Sequence, residues 1–482
     1  MGKSSESITK EGEAPVREAP GMVVNPCKAC APLGASIALR GIRNSMCILH
    51  GSQGCATYIR RFLIGHFREP VDIASSSFDE SSAVFGGRSN LIRGVKNIIG
   101  QYKPEVIGIA TTCLAETIGE DVGMYLKDFP ADEGVTYIHT ETAAYKGTHV
   151  DGFMKMCAAI AAQAAPPRKR AAAGAHTCGQ GEVGKGSLRI NLFPWMVSPE
   201  DIRHLKWVLG EMGVQATLLP DYSRSFDGGA WKEYHRLPEG GTSIDAVRRM
   251  GEAEHSIEFG LISSHKCSPA AIVKQKAGVP YTNLPLPIGL KNSDACINAL
   301  IDVSRENGHE PRFSPMLKDQ RERLLDAYAD AHKYFAGLRA AVYGEGDFVA
   351  GICSLLCELG IEPVICLSGE KLNSHAEAMI SRICTDFAFD EPLIRFDADF
   401  SGLEAILDEV HADLMIGGSK GYKVSRRLGI PLVRAGFPIQ DRLGGQRLLH
   451  IGYAGALRMT DQIANTMIAK RQDESPVGYM SM

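Results

Sequence analysis

The chain has 482 residues, of which 44% are hydrophobic, and a formal net charge of −4. That length exceeds one hydrophobic core and calls for roughly two to four domains. The near-neutral balance excludes a global field for nucleic acid or an anionic membrane. Thirteen cysteines, an odd and scattered set, do not form the dense pattern of a secreted disulfide scaffold. The first twenty residues lack the apolar core of a signal peptide, and no apolar run reaches membrane-spanning length. A reducing cytoplasm is expected, with most cysteines acting as small buried hydrophobes.

Residues 1–21 read as an extended arm. Residues 106–110, Val-Ile-Gly-Ile-Ala, form a buried-strand pattern, and the loop of Cys113 follows at its carboxyl end, where open α/β sheets place ligands. A second strand is expected at 135–138, then a turn at 146–149 and a helix over about 151–164. The stretch 164–186 is rich in Pro, Gly and Ala, with Arg168-Lys169-Arg170 in it. It reads as a linker with a solvated basic run rather than a nucleic-acid patch.

Strand patterns resume at 188–192 and 216–219. Between them, Ser198-Pro199-Glu200-Asp201 is a helix start, with a Ser cap, Pro in the first turn and acids after it. Residues 203–211 carry helical periodicity. Residues 221–229 read as a long polar loop. A strand–helix–strand pass is expected over 256–283, and an amphipathic helix over 314–340. Strand runs at 340–344, 363–367, 414–419 and 431–435 form a third unit. Strands alternating with helices imply parallel sheets. The division expected is an arm at 1–21 and α/β units at 22–185, 186–335 and 336–482.

Three cysteines stand apart. Cys30 lies in Asn25-Pro26-Cys27-Lys28-Ala29-Cys30, Cys55 ends His50-Gly51-Ser52-Gln53-Gly54-Cys55, and Cys113 lies in Thr111-Thr112-Cys113-Leu114-Ala115-Glu116. Thiolates are the standard ligands of iron–sulfur clusters, and Gly54 would admit backbone N–H groups close to one. A simple cubane needs a fourth ligand, so something outside the trio must complete the site. The rival reading is three buried free thiols. Structural zinc is disfavoured because paired C-x-x-C motifs are missing. Cys27 and Cys30 make one C-x-x-C, open to a redox pair or half a zinc site. Cys353 and Cys357, at i and i+4 on an expected helix, are assigned to packing. So are Cys47, Cys157, Cys178, Cys267, Cys296, Cys366 and Cys384.

The glycine turns Phe85-Gly86-Gly87 and Ile416-Gly417-Gly418-Ser419 read as sheet–helix connections. With no GxxxxGK[ST] and no clean G-x-G-x-x-G, nucleotide binding is not expected. His50, His66 and His149 flank the cysteine loops and read as satisfied histidines, with tuning of a cluster as the alternative.

Residues 25–121 resemble the nitrogenase component 1 family, and within it the β-type subunit. The resemblance rests on the three cysteine loops together with His66-Phe67-Arg68-Glu69-Pro70, Ser75-Ser76-Ser77 and Ala83-Val84-Phe85-Gly86-Gly87. It returns at Arg434-Ala435-Gly436-Phe437-Pro438-Ile439 and Asp441-Arg442-Leu443-Gly444. It implies three Rossmann-like α/β domains with parallel sheets. It implies that Cys30, Cys55 and Cys113 ligate a P-cluster of the 8Fe-7S type, shared with an α-type partner in an α2β2 heterotetramer. Thr148 falls where β subunits carry a serine able to ligate the oxidised cluster. Phe85 matches an apolar residue on the docking surface for a transient ATP-dependent iron–sulfur reductase. The catalytic iron–sulfur cofactor would sit in the partner, leaving no catalytic residue here.

Two features depart from that pattern. Cys27 offers an extra thiol. Residues 219–228, with Gly240-Gly241-Thr242, resemble the scaffold subunit of the cofactor-assembly complex, which typically lacks the full trio. A scaffold-like body bearing the trio is similar to the β-type subunits of methylthio-alkane reductases, which cleave carbon–sulfur bonds. The alternatives are a cofactor scaffold and a nitrogenase β subunit proper.

Overall fold

The structure, a computed structural model, describes residues 27–64, 71–129, 134–165, 187–230, 233–263 and 267–477. The expected arm, most of the 164–186 linker with its basic run and Cys178, and His66 lie outside the described residues. Three parallel sheets carry the fold.

The first sheet is built from β1 (Ser45–His50), β2 (Ile73–Ser75), β3 (Val106–Thr111) and β4 (Thr136–Thr140) in the order β2-β1-β3-β4. All six residues of β1 and of β3 are buried, as a parallel sheet covered on both faces requires. Its helices are α1 (Ala31–Arg40), α2 (Gln53–Ile64), α3 (Glu80–Phe85), α4 (Arg88–Tyr102), α5 (Cys113–Thr117), α6 (Val122–Tyr125) and α7 (His149–Ala164).

The second sheet has β5 (Arg189–Phe193), β6 (Gln215–Leu218), β7 (His255–Phe259) and β8 (Tyr281–Leu284) in the order β6-β5-β7-β8. Helices α8 (Pro199–Glu211), α9 (Ile244–Arg248), α10 (Pro269–Ala277), α11 (Gly289–Glu306) and α12 (Pro315–Phe335) accompany it. The start expected at Ser198 is there. Its hydroxyl accepts from the Asp201 N–H and the Asp201 carboxylate accepts from the Ser198 N–H, both at 3.0 Å, a reciprocal capping box.

The third sheet has β9 (Arg339–Gly344), β10 (Glu362–Ser368), β11 (Leu393–Arg395), β12 (Leu414–Gly417) and β13 (Leu432–Arg434) in the order β11-β10-β9-β12-β13. Helices α13 (Gly346–Glu358), α14 (Ser374–Thr385), α15 (Phe400–Glu409), α16 (Tyr422–Leu428) and α17 (Gly452–Glu474) follow. α17 turns back to pack on α11 and α12.

Two expectations are corrected, and one expected loop is more buried than its composition suggests. The helix expected over 314–340 stops at Phe335, because Gly337 takes φ +76° and residues 339–344 enter the third sheet. The turn at Phe85-Gly86-Gly87 joins two helices, not a strand to a helix. The loop at 221–229 is polar by composition but buried in part. Tyr222, Ser223 and Phe226 are fully buried, and Ser225 nearly so. Tyr222 stacks on Phe437 at 5.9 Å and meets Phe153 edge-on at 6.2 Å. Its hydroxyl donates to the Val197 carbonyl at 2.6 Å. One aromatic ring thus joins segments that pack with all three sheets.

Candidate functional site

Each of the three singled-out cysteines sits at a helix N-terminus. Cys30 is the N-cap of α1, Cys55 is the third residue of α2, and Cys113 is the first residue of α5. Cys55 and Cys113 follow the carboxyl ends of β1 and β3, neighbouring strands whose connections run in opposite directions along the sheet. That is the topological switch point of the first sheet, where α/β sheets open a crevice.

The two turns approach very closely. A Cβ on Gly51 would lie 1.8 Å from Thr112 Oγ1, so only glycine lets the Cys55 and Cys113 loops meet. A second close crossing brings Cys30 in. A Cβ on Gly152 of α7 would lie 1.9 Å from the Ala31 carbonyl oxygen, so α7 and the start of α1 touch backbone to backbone.

The three thiols lie within electrostatic reach of one another. Burial raises the Cys55 pKa, and Cys30 and Cys113 add like-charge repulsion. Burial also raises that of Cys30, opposed by the Leu33 N–H. Cys113 Sγ accepts from the Ala144 N–H at 3.2 Å. Cys30 and Cys113 are exposed and Cys55 is half-buried. Among the described residues no three His, Cys, Asp or Glu side chains close around a single metal ion. The trio is an open set of soft donors.

The supporting groups come from distant segments. His50 is fully buried, with Nδ1 3.1 Å from Ser76 Oγ and Nε2 2.8 Å from Glu120 Oε2. Burial pushes the His50 pKa down, and the Glu120 carboxylate opposes that. Ser76 Oγ accepts from the Gly51 N–H at 2.9 Å, so this chain of bonds reaches the Cys55 turn. Thr111 Oγ1 donates to Glu116 at 2.5 Å, and Lys146 holds both Glu116 and Glu141.

Thr148 is buried at the N-cap of α7 and pairs with Cys30 in an antiparallel bridge. Its hydroxyl donates to Asp151 Oδ2 at 3.1 Å. Cys27 turns toward the third sheet. Its N–H donates to the Ala398 carbonyl at 3.2 Å, and its side chain packs on the core of that sheet. Burial holds its thiol well above the usual range. It lines a crevice of ≈ 70 Å³ with His149, Tyr343, Glu345, Lys420 and Gln440. Phe85 is 88% exposed beside Val84 at the end of α3.

Sequence reasoning missed Glu120 and Glu345, whose histidine partners lie 70 and 196 positions away. It also assigned Cys353 and Cys357, read as an i, i+4 pair, and Cys366 and Cys384 to packing. All four are buried, as packing requires, and Cys353 Sγ lies 3.3 Å from Cys366 Sγ. Cys384 hydrogen-bonds to Cys353 and Cys357. The i, i+4 pair was the only local signal of that meeting.

Residues 30–468 match the family described as nitrogenase component 1 type oxidoreductase. The chain is 33% identical over 458 residues to the nitrogenase molybdenum-iron protein beta chain of Clostridium pasteurianum, covering 94% of each. It is 35% identical over 460 residues to that of Methanothermobacter thermautotrophicus, covering 93% of this chain and 95% of the relative. A solved structure titled "Nitrogenase Cp1 at pH 6.5" superposes with a TM-score of 0.88 at 31% identity, covering 97% of this chain and 98% of that one.

Proposed function

The chain belongs to the nitrogenase component 1 family of oxidoreductases, and on that premise we propose that it holds one half of a P-cluster at the interface with an α-type partner. The observation that carries this reading is the placement of three thiols at three helix N-termini within electrostatic reach of one another, two of them exposed. The donor set fits such a group. The sulfurs are soft, mutually repelling as thiolates, open on one side, and one already accepts a backbone N–H. Iron cations would relieve the repulsion, and N–H···S bonds tune a cluster's potential.

Cys30, Cys55 and Cys113 are the ligands in this reading, with Thr148 beside Cys30 as a hydroxyl in reserve. When bound, the cluster supplies the electron carrier between a docked ATP-dependent iron–sulfur reductase and the metallocluster of the partner. The work of this chain is positional. Gly51 lets two ligand loops meet, and the His50–Glu120 pair fixes the Cys55 turn. Phe85 offers an apolar docking point for the reductase. The assembly is an α2β2 heterotetramer of the cytoplasm, and no helix among the described residues is long and apolar enough to cross a membrane.

For the substrate, our reading is reductive carbon–sulfur cleavage of methylthio-alkanes. Its support is the scaffold-like segment 219–228, which here forms a buried aromatic junction while the cysteine trio is kept. The second reading is a nitrogenase β subunit proper, favoured by the molybdenum-iron relatives that match over more than nine-tenths of the chain. The test is anaerobic co-purification with the partner, followed by assays with dinitrogen and with an organic sulfide. Sulfide cleavage supports the first reading, and dinitrogen reduction without it supports the second. Transfer of a cluster precursor to another protein with no turnover would make the chain a cofactor scaffold.

A further inference from the structure

The first cysteine ligand is held from two sides, and the second side is the third sheet. Residues Cys27, Lys28 and Ala29 form a strap leading into Cys30. The Cys27 N–H donates to Ala398 O at 3.2 Å, Lys28 pairs with Asp397, and Lys420 Nζ donates to the Lys28 carbonyl at 3.0 Å. Asp397 and Ala398 follow β11, and Lys420 follows β12.

The last residue of the strap is clamped by one histidine. The His149 N–H donates to Ala29 O at 3.0 Å, and the Ala29 N–H donates to His149 Nδ1 at 3.3 Å. An Nδ1 that accepts leaves the ring proton on Nε2, and Nε2 lies 2.9 Å from Glu345 Oε1. The two side chains are only 6% and 17% exposed. Glu345 is the N-cap of α13, at the carboxyl end of β9. Ring, strap and third sheet are therefore one hydrogen-bonded unit, adjacent to Cys30.

We propose that His149 and Glu345 are positioning residues for Cys30. They set the direction from which its thiolate enters the shared cluster, and so tie the geometry of that cluster to the third sheet. This rests on the reading of Cys30 as a ligand. A carboxylate oxygen at Glu345 orients the imidazole, the imidazole orients the Ala29 peptide, and that peptide sets the backbone at Cys30. Second-shell bonds of this kind fix ligand orientation and tune metal centres.

The test uses the anaerobically purified complex with its partner. Glu345→Ala and His149→Asn are compared with Glu345→Gln, which keeps an oxygen acceptor for Nε2. The readouts are iron per chain, the electron paramagnetic resonance signature of the oxidised cluster, and its midpoint potential. The expected result is a shifted signature and potential in Glu345→Ala and His149→Asn, with wild-type values restored in Glu345→Gln. If Glu345→Ala does not assemble, His149→Asn carries the same comparison, since it keeps an acceptor near Ala29 and loses only the reach to Glu345. Wild-type signature and potential in every assembled variant of the two positions would overturn the proposal. Cys30→Ala runs in parallel. Full iron and an unchanged signature there would sink the ligand reading beneath it, an outcome distinct from a failure of the clamp alone.

Discussion

Glu120 accepts a hydrogen bond from the buried ring of His50 at 2.8 Å on one carboxylate oxygen, and from the Gly87 N–H at 2.9 Å on the other. His50 ends β1 five residues before Cys55, Gly87 lies two residues after Phe85, and the Glu120 N–H donates to Ala115 O in α5. One residue thus joins the Cys55 turn and the exposed apolar turn through its carboxylate and the Cys113 helix through its backbone N–H. Glu120→Ala leaves a ring N–H and a backbone N–H buried without partners, at about 1–3 kcal/mol each. Denaturant unfolding should show a loss of about 2–6 kcal/mol, with Glu120→Gln losing less than half of that.

Phe85 makes the opposite prediction. At 88% exposure it contributes little to stability, and a surface substitution there should stay within about 0.5 kcal/mol of wild type. Phe85→Asp should instead slow electron delivery from the ATP-dependent reductase, leaving reduction by a small chemical reductant unchanged. Equal rates with both electron sources would remove Phe85 from the docking surface.

Glu258 predicts a pH dependence. It is fully buried in β7, accepts from Ser268 Oγ at 2.6 Å and the Ala270 N–H at 2.9 Å, and has one oxygen without a partner. Burial raises its pKa to about 7 against 4.5 in the unfolded chain. The unfolded state therefore releases the proton first as pH rises. Stability should fall between pH 4.5 and about 7 by about 3 kcal/mol from this group, at about 1.4 kcal/mol per pH unit, and level off above. In Glu258→Gln this fall should be absent, as measured by unfolding across that range.

Asp201 ties the second sheet to the C-terminal helix. Besides capping α8, it accepts from the His450 N–H at 2.7 Å, the Ile451 N–H at 3.2 Å and the His450 ring at 2.8 Å. Both side chains are almost fully buried. Despite burial, His450 and these donors hold the Asp201 carboxyl below its usual range. Removing one member of a buried pair costs about 3–5 kcal/mol, and Asp201→Ala should lose stability on that scale in thermal or denaturant melts.

Asp201 also marks how far sequence carried the fold. Its place in a helix start was legible from Ser198-Pro199, because capping chemistry is local. Its hold on His450 was not, because that contact spans 249 positions. Most strands were legible for a similar reason, since a parallel sheet covered on both faces writes continuous apolar runs, but β1, β2 and β11 were not singled out. Residues 221–229 form the expected loop, but their serines and aspartates gave no sign of its burial. Only the tertiary fold shows Tyr222 and Phe226 closing a core. The three cysteine loops stand out by composition, whereas Glu345, which meets His149 beside the first of them, carried no local mark.

The central claim is that Cys30, Cys55 and Cys113, and not Cys27, hold iron jointly with a partner. The direct measurement is iron per complex in the four single alanine variants, each co-purified anaerobically with the α-type partner. The account predicts loss of the shared cluster's iron, or of the complex itself, in Cys30→Ala, Cys55→Ala and Cys113→Ala, with wild-type iron in Cys27→Ala. Wild-type iron in all three trio variants would contradict it.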